Sequence, residues 1–151
     1  ASASAAPACA ATWGSRAKSL DGTTNASVTN ARAGRHACFD RMVVDLNGTG
    51  AGYRVEYVNT LTGMAGTPLA LRGGAKIQVT VRTRGHMYHP TTMSEAVNVR
   101  GYTTFRQIRC VASGGVTKFG LGVRARLPMR AFILRGPGTG SRLVIDVAHH
   151  W

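Results

Sequence analysis

Residues 75–82 read Ala75-Lys-Ile-Gln-Val-Thr-Val-Arg82, and this stretch carries the clearest structural signal in the chain. Apolar side chains occupy every second position, and polar side chains occupy the positions between them. Because successive side chains of a strand point to opposite faces, this period of two predicts a strand with one buried and one exposed face. The preceding Arg72-Gly-Gly is typical of a turn.

The same alternation recurs on both sides of this strand. Asn47-Gly-Thr-Gly-Ala-Gly is typical of a hairpin connection, and residues 12–33 are polar with Trp13 and Leu20 as predicted anchors. No segment of about 12 residues keeps a helical period, so we predict an all-β, single-domain β-sandwich of about seven or eight mostly antiparallel strands. The further predicted strands are residues 37–46, 53–57, 105–111, 119–123, 130–134 and 143–147.

The N-terminus consists of small, uncharged residues and is typical of the stub that remains after signal-peptide cleavage. We therefore expect a secreted protein in which residues 1–12 are disordered and residues 13–151 form the sandwich. No apolar run reaches about 18 residues, so the sequence predicts no membrane span.

Charge is the most unusual property of the composition. Lys and Arg number 19 against 6 Asp and Glu, and 16 of the cations are arginines, for a formal net charge of +13. Such a charge attracts nucleic acid, anionic membranes and acidic wall polymers. A composition bias toward Arg, Ala and Gly is the alternative explanation. We expect the self-repulsion to favour a monomer.

Five arginines form the predicted ligand-binding set: Arg82, Arg84, Arg124, Arg126 and Arg130. One intervening residue puts both members of a pair on the same side of a strand, provided that the strand continues through them. A guanidinium surface suits phosphate or carboxylate, which arginine clamps with two hydrogen bonds. A merely solvated face is the alternative. No ordered aromatic residues accompany these arginines, so nucleic acid is not the expected partner.

The sequence does not favour an enzyme. Asp40 and Asp146 lie in apolar runs, where a buried carboxylate needs a partner, and we expect them to pair with Arg41, Arg142 or other arginines. No Gly-x-Ser-x-Gly elbow is present. We expect no catalytic residues and no cofactor.

Residues 83–100 form the longest predicted connection, and such a loop is usually functional or mobile. They contain His86-Met-Tyr-His89, a spacing that can hold a soft metal such as copper, although an exposed histidine-rich loop is the simpler interpretation. A rigid sandwich that presents this loop also suits a protease inhibitor or a regulator of an extracellular enzyme.

Three cysteines leave the disulfide pairing open from the residues alone. Cys38 and Cys110 both lie in predicted strands, and Cys9 with Cys38 is the other option. The odd count leaves one thiol unpaired if the compartment is oxidising.

Several segments together resemble a known family. They are Thr12-Trp-Gly-Ser, Gly34-Arg-His-Ala-Cys-Phe-Asp-Arg-Met-Val-Val-Asp-Leu, Tyr53-Arg-Val-Glu-Tyr-Val, Phe119-Gly-Leu-Gly-Val and Ser141-Arg-Leu-Val-Ile-Asp-Val-Ala-His. Their order is similar to that of the AMIN-like domain of secreted and lipid-anchored actinobacterial proteins, distant relatives of the AMIN domain. One departure is Ser113-Gly-Gly, where that family tends to carry Phe-Glu-Gly.

The resemblance implies an exported β-sandwich that binds peptidoglycan or positions a partner in the envelope. It also implies a Cys9–Cys38 disulfide, with Cys110 buried and reduced. The expected function is therefore a secreted, non-catalytic binding domain for an anionic wall polymer or peptidoglycan. The alternatives are a secreted protein-binding factor and a copper carrier.

Overall fold

The computed structural model describes residue 9 and residues 11–86, 88–111 and 116–151. Within them, no helix is long and apolar enough to cross a membrane, and the two short 3-10 helices are Met64–Gly66 and Met93–Glu95. The strands are β1 (Lys18–Leu20), β2 (Thr24–Arg35), β3 (Phe39–Leu46), β4 (Gly52–Val58), β5 (Leu61–Thr62), β6 (Pro68–Leu69), β7 (Ala75–His86), β8 (Phe105–Val111), β9 (Thr117–Val123), β10 (Met129–Arg135) and β11 (Ser141–Ala148).

Nine of these strands form two antiparallel sheets, which are joined by a short parallel pairing of β7 with β2. Sheet A has the order β1-β4-β7-β9-β8, and sheet B has the order β2-β3-β11-β10. The end of β7 pairs in parallel with the beginning of β2, with Thr24 opposite Thr83. Strands β5 and β6 pair only with each other. The prediction of a mostly antiparallel, all-β fold is confirmed.

One hydrophobic core fills the space between the two sheets. Ile77 and Phe119 of sheet A and Met42 and Ile145 of sheet B belong to one cluster, and each is 0% exposed. They are inward-facing members of alternating strands, as the period of two predicts. The sandwich interpretation is therefore confirmed.

The strand count is higher than predicted, because the alternating pattern did not predict β1, β2, β5 and β6. β2 is the important omission, since it has 12 residues and pairs with β3 along most of its length. Its inward positions are filled mainly by Val28, Ala31 and Ala33, and a register shift falls between Val28 and Asn30. Small alanines and the shift together weaken the alternating signal. Leu20, expected as an anchor, is instead 46% exposed.

Residues 47–52 do not form the predicted hairpin. β3 pairs with β2 and β11, whereas β4 pairs with β1 and β7, so this segment passes from sheet B to sheet A. Gly52 in this segment allows its backbone to lie close to the backbone of residues 20–22. A Cβ atom at Gly52 would lie 2.5 Å from the carbonyl oxygens of Leu20 and Gly22. Glycine suits both a hairpin and such a crossing, so composition alone does not separate them.

The outer face of sheet A is covered by the segment that contains β5 and β6. Leu61 and Leu71 of this segment form a small second cluster with Val111. A Cβ atom at Gly120 would collide with the Leu61 side chain, and one at Gly122 would collide with the carbonyl oxygen of Arg72. The two glycines of β9 therefore let the segment lie directly on the sheet, which places Arg72 over sheet A.

Candidate functional site

The structure separates the five arginines that were predicted as one ligand-binding set. Arg82 and Arg84 alternate with buried neighbours and lie exposed on the same face of β7. The other three follow β9, whose last residue Val123 pairs with Ala75 at the opposite end of β7. Arg82 lies seven positions along β7 from Ala75, a distance of about 23 Å in a strand. The five side chains do not form one surface.

Arg124 and Arg126 lie beyond the end of β9, so the condition for their sharing a strand face is not met. Arg124 Nη2 donates to the carbonyl oxygen of His149. Arg126 Nε donates to Ser15 Oγ at 3.0 Å, and its guanidinium lies 4.8 Å from the centre of the Tyr57 ring. These contacts fasten the N-terminal and C-terminal segments to the sandwich, although both side chains remain exposed.

Arg130 belongs to a cluster on the outer face of sheet B, which we call the outer cluster. Asp146 is 0% exposed, and it accepts two hydrogen bonds from Arg41, at 2.7 and 2.9 Å, and one from Arg130 Nε at 2.8 Å. The Asp146 hydrogen bond raises the pKa of Arg41 above its ordinary value. The two guanidinium groups also lie over aromatic rings. The outer cluster consists of Trp13, Phe39, Arg41, Arg130, Phe132 and Asp146.

The predicted pairing is thus confirmed for Asp146 with Arg41, and wrong for Asp40. Asp40 faces the core, opposite Val147, whereas its neighbour Arg41 lies on the outer face opposite Asp146. Asp40 Oδ2 instead accepts hydrogen bonds from the backbone N–H groups of Thr104, at 2.7 Å, and Phe105, at 3.0 Å.

Arg142, the other predicted partner, also forms no ion pair within the described residues. Its guanidinium donates to the carbonyl oxygens of Gly136, at 3.1 Å, and Arg135, at 3.3 Å.

The hydroxyl of Thr104, the imidazole of His149 and the carboxylate of Asp40 lie in series. Thr104 Oγ1 is 2.7 Å from His149 Nδ1, and His149 Nε2 is 4.0 Å from Asp40 Oδ1. The second distance is too long for a hydrogen bond, and Nε2 lies 2.9 Å from the carbonyl oxygen of His36. All three side chains are buried. We interpret the group as a structural polar network that joins β8, β3 and the end of the chain.

A different set of arginines surrounds a recess of about 610 Å³, which we call the arginine recess. Its residues come from three separate parts of the chain: the connection before β7, the 3-10 helix Met93–Glu95 with the segment that follows it, and β8. None of them was predicted as a ligand-binding residue, since only the tertiary fold brings them together. They are Arg72, Glu95, Asn98, Val99, Arg100 and Arg106.

One buried side chain fixes two walls of the recess. Gln107 is 4% exposed; its Oε1 accepts a hydrogen bond from the Arg72 backbone N–H at 2.7 Å. Its Nε2 donates to the carbonyl oxygen of Ser94 at 2.7 Å. The backbone N–H of Ala96 donates to the carbonyl oxygen of Ile108 at 2.9 Å, so the wall that contains Ser94 is held against β8. The recess is therefore built on the sheet rather than on a free loop.

The three guanidinium groups of the recess have different environments. Arg72 Nη1 lies 2.6 Å from Glu95 Oε1, and this hydrogen bond raises the pKa of Arg72 above its ordinary value. Arg106 Nη1 donates to the carbonyl oxygens of Tyr102, Thr103 and Phe105 at 3.0–3.3 Å. The side chain of Arg100 is exposed and makes no hydrogen bond or ion pair within the described residues. Three cations against one carboxylate leave the recess positively charged.

The disulfide implied by the family resemblance is present. Cys9 and Cys38 are bonded, with a Cα–Cα distance of 4.8 Å. Cys110 is free and buried, as expected, and burial raises the pKa of its thiol. The rest of the predicted N-terminal stub, apart from residues 11 and 12, lies outside the described residues.

The copper prediction rests on His86 and His89 and stays a prediction. The side chain of His86 and the whole of Met87 lie outside the described residues. Elsewhere, within the described chain, no group of three His, Cys, Asp or Glu side chains lies close enough to hold a metal ion.

The connection at residues 83–100 is shorter than predicted, because β7 continues to His86. Its described part packs against the core: the Tyr88 ring centre is 6.3 Å from that of Phe119, and Tyr88 Oη donates to the carbonyl oxygen of Ala96 at 2.8 Å. A role of this segment in protein binding remains a prediction. Ser113 and its two glycines lie outside the described residues.

The comparison with known proteins agrees with the resemblance. No curated protein and no solved structure is significantly similar to the chain. The family model of the AMIN-like domain matches residues 26–149. This match begins within β2 and extends beyond β11, so it includes sheet B, nearly all of sheet A and the arginine recess. The chain therefore belongs to the AMIN-like domain family.

Proposed function

We propose that this chain is a secreted, non-catalytic binding domain that recognises an anionic polymer of the cell envelope. Membership of the AMIN-like family supports a role related to the cell wall. The Cys9–Cys38 disulfide supports an oxidising compartment outside the cytoplasm, where such bonds persist.

The observation that carries the proposal is the large excess of arginines over the carboxylates available to them. Five of the 16 arginines form ion pairs with Asp or Glu, and the other eleven have no carboxylate partner within the described residues. Unbalanced like charge destabilises a folded domain through self-repulsion. An anionic partner would offset that repulsion, and it would give the arginines hydrogen-bond acceptors.

Arg82 and Arg84 supply one contact surface for such a polymer. They are exposed, they form no ion pair within the described residues, and they line a recess of about 220 Å³ together with Thr23, Thr83 and Val116. The arginine recess supplies another. Two separate basic sites suit a repeating polymer better than a single small ligand, because each site can hold a different repeat.

Co-sedimentation of the wild-type domain with purified cell walls tests this function. Native walls are compared with walls stripped of their anionic polymer, each at low and at high salt. Retention that is lost on stripping and in salt supports the proposal, since ion pairs between exposed charges are screened. Retention that survives both treatments would identify peptidoglycan as the ligand. Absence of retention would overturn the envelope-binding function.

A further inference from the structure

We propose that the arginine recess is a binding site for the phosphate group of a polyol phosphodiester. This inference rests on the proposed function and names the repeat unit that the recess recognises. The phosphate would lie among the guanidinium groups of Arg72, Arg100 and Arg106, and the polyol would lie beside Glu95 and Asn98.

The recess holds two of its guanidinium groups in place before any ligand arrives. Arg106 is fixed by three carbonyl oxygens, those of Tyr102 and Thr103 before β8 and that of Phe105 at its first position, and it uses Nη1 for all three contacts. Arg72 is fixed by Glu95 and by the carbonyl oxygen of Arg106, which accepts from Nη2 at 3.3 Å. Ordering these side chains in advance lowers the entropy cost of binding an anion.

Arg100 is the group with the most to gain from a ligand. Its side chain has no hydrogen-bond or ion-pair partner within the described residues, while its backbone N–H donates to Asn98 Oδ1 at 3.0 Å. That hydrogen bond fixes the turn that carries Arg100. The guanidinium keeps its full set of donors, which match a phosphate oxygen pair.

Glu95 and Asn98 determine what accompanies the phosphate. Glu95 Oε1 is paired with Arg72. The second carboxylate oxygen of Glu95 and the amide oxygen of Asn98 can accept hydrogen bonds from hydroxyl groups. A volume of about 610 Å³ lies within the usual range for ligand sites and exceeds the size of a phosphate ion. The site therefore suits a phosphate that is flanked by hydroxyl-bearing carbons.

The overall charge favours a phosphodiester polymer over a wall peptide. A chain with a net charge of +13 attracts a partner that carries one negative charge on every repeat. Wall peptides combine ammonium and carboxylate groups, so the same field attracts them much less.

The test uses isothermal titration calorimetry of the full chain with soluble poly(glycerol phosphate). Arg100→Gln is the main variant, and Arg135→Gln is its control, because Arg135 is an exposed arginine at the far end of β10. Loss of a charge-assisted contact predicts about tenfold weaker binding for Arg100→Gln. The control should differ from the wild type by less than about twofold, because it changes only the net charge. Equal effects of both variants would overturn the site.

Glu95→Gln gives a prediction of opposite sign. The Gln amide oxygen can still accept hydrogen bonds from Arg72 and from a hydroxyl group, whereas the negative charge that repels the incoming phosphate is lost, so binding should become about two- to fivefold tighter. Weaker binding of the polymer by this variant would overturn the proposed arrangement.

The wild type is also titrated with a soluble wall peptide. Tighter binding of this peptide than of poly(glycerol phosphate) would overturn the proposal.

Polygalacturonate, a polymer of carboxylates, separates phosphate recognition from general anion binding. Weaker binding of polygalacturonate supports the proposal, and equal or tighter binding overturns it. If the wild type sediments with walls but does not bind poly(glycerol phosphate), the inference fails while the envelope-binding function stands. If it does not sediment with walls, the proposed function itself fails.

Discussion

The outer cluster and the arginine recess each combine two or three arginines with one carboxylate, but they differ in how far that carboxylate is buried. In the outer cluster, two arginines donate to one carboxylate that is 0% exposed, and their side chains are 26% and 38% exposed. In the recess, three arginines surround one carboxylate, and the paired side chains of Arg72 and Glu95 are 61% and 39% exposed. A buried carboxylate commits its arginines to the fold. Exposed arginines in excess of carboxylates remain available for a ligand.

The largest expected effect comes from releasing the N-terminal arm that covers the outer cluster. Replacing Cys9 and Cys38 by serine opens a loop with a sequence separation of 29 residues. Loop-closure entropy predicts a loss of about 3–4 kcal/mol in the free energy of unfolding. Urea denaturation of the variant and the wild type measures this loss. A loss below about 1 kcal/mol would show that the arm is held mainly by Trp13.

Asp146→Asn tests the outer cluster itself. The amide keeps the shape of the carboxylate but removes the charge that both arginines share, so we expect a loss of about 3 kcal/mol in stability. Thermal unfolding, followed by circular dichroism, gives the shift in Tm. Wall binding of the folded variant should be unchanged. An unaltered Tm would mean that the aromatic contacts alone hold Arg41 and Arg130.

Glu95→Gln is the matched change in the recess, because it also removes one carboxylate that is bonded to an arginine. The pair is exposed, and exposed ion pairs contribute about 0–1 kcal/mol. We expect the stability to change by less than about 0.5 kcal/mol in the same thermal unfolding experiment. A loss equal to that of Asp146→Asn would contradict the distinction between the two regions.

Cys110 gives a smaller test that concerns the core. The thiolate is the reactive form, and burial raises the pKa of this thiol, so the folded protein should react slowly with a thiol reagent near neutral pH. Raising the pH should increase the rate, since it raises the thiolate fraction. Unfolding in guanidinium should give rapid labelling of one thiol per chain. Fast labelling of the native protein would show that β8 opens readily.

The fold was more predictable than the site, and particular residues show why. The period of two in β7 is a local property, and the core positions Ile77 and Val79 follow from it directly. Asp40 and Asp146 have the same signature, an acid in an apolar run, yet one faces the core and the other the outer cluster. Their environments differ because the register of β3 against β11 places Asp146 opposite Arg41 and Asp40 opposite Val147.

The recess could not be found from local spacing. Arg72 precedes β7, Arg100 follows the second 3-10 helix, and Arg106 lies in β8. The packing of residues 61–72 on Gly120 and Gly122 places Arg72 beside the other two. The predicted arginines were chosen because they are close together in sequence. Arg124 and Arg126 do not share a strand face, because β9 ends at Val123. The alternating glycines of β9 were the available signal, since they indicate close approach by another backbone.

The most direct test of the account compares Arg100→Gln with Arg130→Gln, because each variant loses one positive charge. The free energy of unfolding and the Kd for poly(glycerol phosphate) are measured for both. We predict that Arg130→Gln loses about 1–3 kcal/mol of stability and binds like the wild type, since Arg130 is committed to Asp146. Arg100→Gln should keep its stability and bind about tenfold more weakly. Equal losses of affinity in the two variants would contradict the account, because binding would then depend on net charge and not on the recess.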